Sequence, residues 1–476
     1  MRPFHAVRWL SSLLLILLSH SVAAARPNIL FVLIDDMGYR DLSCFGGTRV
    51  KTPEIDRLAA EGERLTQFYV SSPICSPSRV TFTTGQYPNR WGITSYLDTR
   101  AIDKRRGIKD WLSPSAPSLA RMLHDAGYYT AHVGKWHMGG QRDVGDAPLI
   151  TAYGFDTSVT NFEGLGPRFL PKFEPRRDGT PFHHVPTEMN AQLGGEITWV
   201  DRHRVTEAFV DRAIEEMKKA RAAGKPFYIN LWPDDVHGPC QAPPGLRGDG
   251  SQAANYCGVL RDADWQIGRA VEYVRSQPDL RDNTIVLLCS DNGADPGYGS
   301  GGELRGHKGQ LYDGGIRSPL IAWWPGGMAK AAVGTSNDRT LMAGIDFAPS
   351  ILALAGVAKP AGVEFDGIDL SAALAGKEQP ERGKPVMWVR PPDRPGPRGN
   401  LPDLAIREGK WKLLVSRQGT RAELFDVTAD PREQKNLAAE HPDRVERLGR
   451  AVIAWDKANP PRNDGAAAGD QQSPQP

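Results

Sequence analysis

The sequence predicts an α/β protein: a large mixed, mostly parallel sheet sandwiched by helices, followed by a smaller C-terminal α+β domain. Three observations carry that prediction. From Arg26 to about Leu374, short apolar β-rich runs alternate with helical segments, as in a parallel sheet with helical crossovers. The run Ile29–Ile34 is apolar throughout, the mark of a strand covered on both faces, and IVLLC at 285–289 repeats it. After a break at KEQPERGKP (377–385), VMWV, LAIREGKWKLLVS and AELFDVT read as antiparallel strands and DRVERLGRAVIAWDKA as an amphipathic helix.

The elements follow in order. Residues 1–25 read as a secretory signal peptide: Arg2, His5 and Arg8 precede the apolar run LSSLLLILL, and SVAAA ends at Ala25. That run is too short to cross a bilayer comfortably, and no later stretch is long and apolar enough. The chain is therefore expected to be exported, periplasmic or secreted, without stable membrane insertion. The large domain is expected over 26–376, the smaller one over 377–462, and a disordered tail over 463–476. In TPEIDRLAAEG, Thr52 is the expected helix cap, Pro53 the first-turn residue and Gly62 the stop. SAPSLARMLHDAG repeats that grammar from Ser115 to Gly127, and YYTAHV follows as a strand. Residues 140–200 are rich in Gly, Pro and charge with little periodicity, and read as an elaborated surface region rather than core.

A chain of 476 residues can bury a large core in more than one domain. A net charge of +2 gives no global reason to expect nucleic acid or a membrane surface, so any preference for anions must be local. There are five cysteines: Cys44, Cys75, Cys240, Cys257 and Cys289. Five is odd, so at least one is unpaired or chemically altered. Cys240 and Cys257 flank a Gly/Pro-rich loop and could pair, whereas Cys289 sits in an apolar run and reads as core. The chain has no Asn-x-Ser/Thr sequon, which favours a bacterial periplasmic or secreted enzyme over a glycosylated lysosomal one.

The polar residues fall at strand ends. NILFVLIDD runs straight into Asp35 and Asp36, and TIVLLCSDNG into Asp291 and Asn292. YYTAHVGKWHMG ends in Lys135 and His137, and PFYINLWPDDVHGP in a loop carrying His237. Ligands of parallel α/β sheets bind beyond the carboxyl ends of the strands, so four such strands would bring these groups to one edge. Taken singly, each has an ordinary explanation: an acidic turn, a surface or hydrogen-bonded histidine, a solvated Lys135 or Lys308. His132, inside its strand, reads as structural. Taken together, Asp–Asp and Asp–Asn pairs form an oxygen-rich nest for a hard divalent cation, Ca²⁺ or Mg²⁺. No Cys or His falls at zinc-ligand spacing.

CSPSR at 75–79, followed by TTG, resembles the signature of type I sulfatases of the alkaline phosphatase superfamily. RPNILFVLIDDMGYRDL, TPEIDRLAAEG, GYYTAHVGKWHMG, LCSDNGA, GHKGQLYDGGIRSP, FDGIDL and ELFDVTADPREQKNLA are similar to the same family in the same order, and span nearly the whole chain after residue 25. Among subgroups the chain looks closest to arylsulfatases and N-acetylgalactosamine-6-sulfatase-like enzymes. The resemblance implies an alkaline phosphatase-like fold and conversion of Cys75 to formylglycine by a dedicated formylglycine-generating enzyme. It implies Asp35, Asp36, Asp291 and Asn292 as ligands of one divalent cation, Ca²⁺ before Mg²⁺, with the modified Cys75 or the substrate sulfate completing the shell. Arg79 would hold the formylglycine, His137 beside Lys135 would act as base, and His237 with Lys308 would bind sulfate and protonate the leaving alcohol. His237 departs from the family's Pro-His-x-Pro form, standing in DDVHGP.

The implied activity is hydrolysis of a sulfuric ester, on a sulfated carbohydrate or an aryl sulfate. A phosphonate or phosphate esterase of the same superfamily is the nearest rival, and a non-catalytic sulfated-glycan binder a rival of another class. Candidate substrate contacts are Glu303 and Arg305, just before His307 and Lys308. The others are Arg168, Lys172, Arg176 and Arg177 in the 140–200 region, and Arg390, Arg394 and Arg398 further on. Solvated surface charge explains each of these last equally well.

Overall fold

The structure is a computed structural model that describes residues 26–175, 195–394 and 401–459. The expected signal peptide and tail, and Arg176, Arg177 and Arg398, lie outside the described residues. In chain order the strands are β1 (Asn28–Ile34), β2 (Glu63–Leu65), β3 (Phe68–Tyr69), β4 (Tyr129–Gly134) and β5 (Thr157–Val159). Next come β6 (Arg168–Lys172), β7 (Ile197–Asp201), β8 (Phe227–Trp232), β9 (Thr284–Ser290), β10 (Leu320–Trp323), β11 (Ser336–Asn337) and β12 (Met342–Ala343). The C-terminal strands are β13 (Val386–Val389), β14 (Leu404–Glu408), β15 (Trp411–Val415) and β16 (Ala422–Asp426).

Eight strands form the main sheet in the order β11-β2-β10-β9-β1-β8-β4-β5. The run β9-β1-β8-β4-β5 is parallel, and β10 is antiparallel to both its neighbours. Strand β1 is buried at every position because alternate side chains feed two cores. Ile29, Phe31 and Leu33 join one core with the helices Cys75–Thr84, Leu119–Asp125 and Phe347–Leu354. Leu30, Val32 and Ile34 join the other with Pro53–Glu61, Val205–Ala222 and Gln252–Ser276. Cys289 is fully buried in the first core, as its apolar setting predicts.

The smaller C-terminal unit is an antiparallel sheet, β13-β14-β15-β16, with the helix Pro442–Ala458 on one face. Its other face is pinned to the large domain by a buried charge cluster. Lys412 Nζ lies 2.7 Å from Asp313 and 2.8 Å from Glu433, all three side chains fully buried. Trp388 donates its indole N–H to the Val70 carbonyl, and Tyr69 its hydroxyl to Asp313. Residues 377–385 carry no helix or strand.

Three expectations are corrected. Cys240 and Cys257 are both free: Cys257 lies in the helix Gln252–Ser276, and the Cys240 thiol faces the Val236 carbonyl at 3.4 Å. The described part of 140–200 is not mere surface. Strand β5 extends the main sheet, β6 pairs with β7, and Arg168 is buried with its Nε–H donating to Gly166 O. Its short strands and turns left no period to read. The second helix begins after Ser118, whose hydroxyl accepts from Arg121 N, rather than at Ser115, and ends before Gly127 at φ +95°.

Candidate active site

Strands β9, β1, β8 and β4 are consecutive neighbours, so the four polar strand ends converge on one edge. The helix Cys75–Thr84 delivers the remaining groups. Ile74 is extended just before it, Pro77 is tolerated in the first turn where no intrahelical N–H is needed, and Gly85 stops it in the left-handed region. All ten helical residues are buried. Cys75 is the first of them, at the positive end of the helix dipole, and Arg79 sits one turn further in.

Single donor atoms of Asp35, Asp36, Cys75 and Asp291 lie within 4.8 Å of one another. The Cys75 thiol points at Asp36 Oδ1, 3.8 Å away. Asn292 donates its amide to Asp36 Oδ1 at 2.8 Å and to Gly293 O, while its own Oδ1 is buried with no hydrogen-bond partner. A buried amide oxygen left unpaired beside three carboxylates is a costly arrangement unless a cation takes it up, so this donor set fits a hard metal ion.

A ring of cations surrounds the nest. Arg79 is fully buried; its Nε and Nη2 donate to Asp291 Oδ2 at 3.1 and 2.9 Å, its Nη2 lies 3.2 Å from Asp35, and its Nη1 donates to Lys135 O at 2.6 Å. Lys135 Nζ donates to Asp35 at 2.5 Å and Lys308 Nζ to Asp36 at 2.6 Å. His237 Nε2 is 3.5 Å from Asp36, and its Nδ1 is 2.6 Å from Gly238 O, which makes Nδ1 the protonated nitrogen. His137 is buried against the Phe162 ring with neither ring nitrogen hydrogen-bonded.

These contacts set the protonation states. Burial alone would raise Asp35, but Lys135, Arg79 and His237 outweigh it and hold the carboxyl well below its usual range. Burial pushes Asp291 up to about 7, with the Asp35 charge adding to it against Arg79. Burial drives His137 well below its ordinary value, helped by Lys135 and Arg79, and brings His237 down to about 4 against the pull of Asp36. Both imidazoles are neutral at pH 7. Burial pushes the Cys75 thiol well up, so an unmodified side chain there would be a poor nucleophile.

Each sequence-derived site residue therefore reaches this one place, His237 included. Others do not. Glu303 is an exposed partner of Arg432, and Arg305 stacks on Tyr312 and pairs with Glu423 of the C-terminal sheet. Both serve the domain junction, because the chain turns away from the site before His307. Arg390 pairs with Asp403, and His132 is buried with Nε2 on Gly134 O. Sequence reading missed the wall behind His237, where Arg202 joins Asp234, Asp235 and the His237 carbonyl and Asn161 donates to Asp234. The acids of DDVHGP were its one visible trace. Arg142, Phe162 and Glu163 were missed too, because they sit in the aperiodic region. Four of the five non-glycine residues with positive φ among those described are Asp36, His137, Arg142 and Glu163, so backbone strain gathers here.

A protein-family description named Sulfatase matches residues 27–357. The chain belongs to the sulfatase family. A second description, N-sulphoglucosamine sulphohydrolase, C-terminal, matches residues 305–448 of this sulfatase. Canis lupus familiaris N-acetylgalactosamine-6-sulfatase is 32% identical over 398 residues, covering 79% of this chain and 72% of the relative. Homo sapiens arylsulfatase A is 30% identical over 449 residues, covering 92% and 84%. A crystal structure of Ps i-CgsB in complex with k-i-k-neocarrahexaose superposes on this sulfatase with a TM-score of 0.75 at 25% identity, covering 91% of this chain and 93% of that one. The sulfatase is thus a hydrolase with a buried acidic and cysteine cluster that fits a metal ion.

Proposed function

We propose that the protein is an exported enzyme, periplasmic or secreted, that removes sulfate from a sulfated carbohydrate, with residue 75 acting as formylglycine after a formylglycine-generating enzyme has processed Cys75. The observation that carries this reading is the seat of Cys75: first residue of a buried helix, 3.8 Å from Asp36, with Arg79 on the same helix tied to Asp291. The names of the relatives and the oligosaccharide bound in the structural neighbour support a saccharide substrate. Among the described residues, no helix is long and apolar enough to cross a membrane.

As an aldehyde hydrate, residue 75 supplies two hydroxyls on one carbon, one to attack sulfur and one to expel sulfate as the carbonyl re-forms. Asp35, Asp36, Asp291 and Asn292 would hold a divalent cation, Ca²⁺ or Mg²⁺ by their oxygen donors, and it would supply positive charge to offset that of the reacting oxygens. Arg79 fixes the cluster from beneath and offsets its negative charge. Lys135 and Lys308 face the sulfate oxygens, whose charge persists through the displacement. His237 and Lys308 bracket the leaving oxygen, and the Lys308 ammonium supplies its proton, since the one proton of neutral His237 is held on the Gly238 carbonyl. Neutral His137, with both ring nitrogens unclaimed, takes the proton of the second hydroxyl.

Paired assays on 4-nitrophenyl sulfate and 4-nitrophenyl phosphate test the reading, using protein from a host that carries the maturation enzyme. Faster turnover of the sulfate, abolished in a folded Cys75→Ala variant, is expected. Preferential phosphate turnover, or a variant with half the wild-type rate, would refute it.

A further inference from the structure

One cation on the rim of the cleft has no part in cleaving a sulfate ester. The cleft, about 480 Å³, is lined by Cys75, His237 and Lys308 and also by Tyr96, Asp295 and Arg394. Asp295 is engaged with Lys308 at 3.5 Å. Arg142, another lining cation, is paired with Asp98 at 3.2 Å, with the Glu163 carboxyl a further contact at 3.0 Å. Arg394 is different. Among the described residues its one carboxylate neighbour, Asp393 at 3.4 Å, already holds Arg106 at 3.1 Å and accepts the Ser95 hydroxyl at 2.6 Å.

Arg394 is also held in place. Its stem crosses Gly309, where an added Cβ would lie 3.2 Å from Arg394 Cδ, and its guanidinium sits 5.2 Å from the Tyr96 ring centre. Arg390 donates to the Arg394 carbonyl at 2.6 Å, and Arg394 N closes a turn onto Pro391 O. The pairing of Arg390 with Asp403 thus serves to aim Arg394. A pre-organised, poorly neutralised guanidinium beside a sulfate-binding floor is built for a second anion.

We propose that Arg394 is a specificity residue that binds a second anionic group of the substrate, a carboxylate or a further sulfate on the same saccharide, while the scissile sulfate lies at residue 75. The inference rests on the sulfatase reading above. It makes the preferred substrate a polyanionic saccharide rather than a singly sulfated neutral one.

The test uses four probes: a neutral disaccharide bearing one hexose 6-sulfate, its counterpart with a uronic acid, its counterpart with a second sulfate, and 4-nitrophenyl sulfate. For wild type, kcat/KM on at least one dianionic probe should exceed that on the neutral disaccharide by about tenfold or more, mostly through KM. The arm that shows the preference names the anion. Arg394→Ala should collapse this ratio towards one, Arg394→Lys should keep part of it, and Arg394→Glu should invert it. The wild-type preference should shrink as salt rises from about 0.05 to about 0.5 M. Asp393 keeps Arg106 and Ser95 in every variant, so no buried charge is orphaned. A wild-type ratio at or below one on both arms, or an Arg394→Ala variant that keeps the ratio, overturns the proposal. Failure of wild type on every probe, 4-nitrophenyl sulfate included, instead refutes the sulfatase reading itself.

Discussion

Replacing Lys412 by Met tests how the C-terminal sheet supports the active site. Lys412 bridges Asp313 and Glu433 with all three side chains out of water, and Glu433 accepts from the Asp313 amide at 2.7 Å. Removing one member of such a buried set costs about 3–5 kcal/mol, because uncompensated charge is left behind. Here Asp313 keeps the Tyr69 hydroxyl at 2.7 Å and Arg317 at 3.6 Å, which places the cost near the lower end, about 3 kcal/mol. The loss should reach the site, since Gly315, two residues after Asp313, accepts from Gly293 N beside Asn292. Urea unfolding followed by tryptophan fluorescence, at pH 8, gives the stability, and aryl sulfate turnover gives the effect on the site. Lys412→Met combined with Glu433→Gln should recover much of the loss, because Asp313 then keeps Arg317 and no charge is orphaned. A loss below about 1 kcal/mol for Lys412→Met, or no recovery in the combined variant, would refute this account of the junction.

Gly293→Ala should be destabilising by about 2 kcal/mol or more and should lower turnover, since a Cβ there would lie 1.9 Å from Gly314 O and push Asn292 out of place; melting and kinetics check both. Glu63 is buried in β2 with Oε2 unpaired, and burial pushes it up to about 7 from 4.5. The folded state therefore holds this proton more tightly than the unfolded chain. Its contribution is full below about pH 4.5 and is lost as pH rises through 7, so Glu63→Gln should gain about 2 kcal/mol relative to wild type at pH 8 and little at pH 4.5 in parallel urea titrations. Chelation followed by dialysis should abolish aryl sulfate turnover and lower the melting temperature, with Ca²⁺ restoring both; full activity in metal-free protein would contradict the ligand set around Asn292 Oδ1.

Much of the site was legible because its chemistry sits at the ends of strands the sequence marks plainly. NILFVLI and TIVLLCS can only be buried strands, and the polar residues that follow must lie at their carboxyl ends. The neighbour order β9-β1-β8-β4 was not legible from the residues, since pairing between segments up to 256 positions apart is decided by packing on both faces rather than by local pattern. Local charge also misled. Glu303 and Arg305 are near Lys308 in sequence, yet left-handed Gly306 turns the chain so that Arg305 meets Glu423 instead. Arg394 was one of several candidate arginines that the sequence could not tell apart from solvated surface charge, because its setting depends on Gly309 and Tyr96, each far away in the sequence. Positive φ at Asp36 and His137 is invisible in residue identity, and only the folded frame imposes it.

The most direct measurement of the central claim is the mass of the tryptic peptide Leu65–Arg79 from an active preparation, made alongside its rate on 4-nitrophenyl sulfate. The aldehyde or its hydrate is expected at residue 75, in a fraction that tracks specific activity from one preparation to the next. A fully active enzyme whose peptide carries only the cysteine thiol would contradict it.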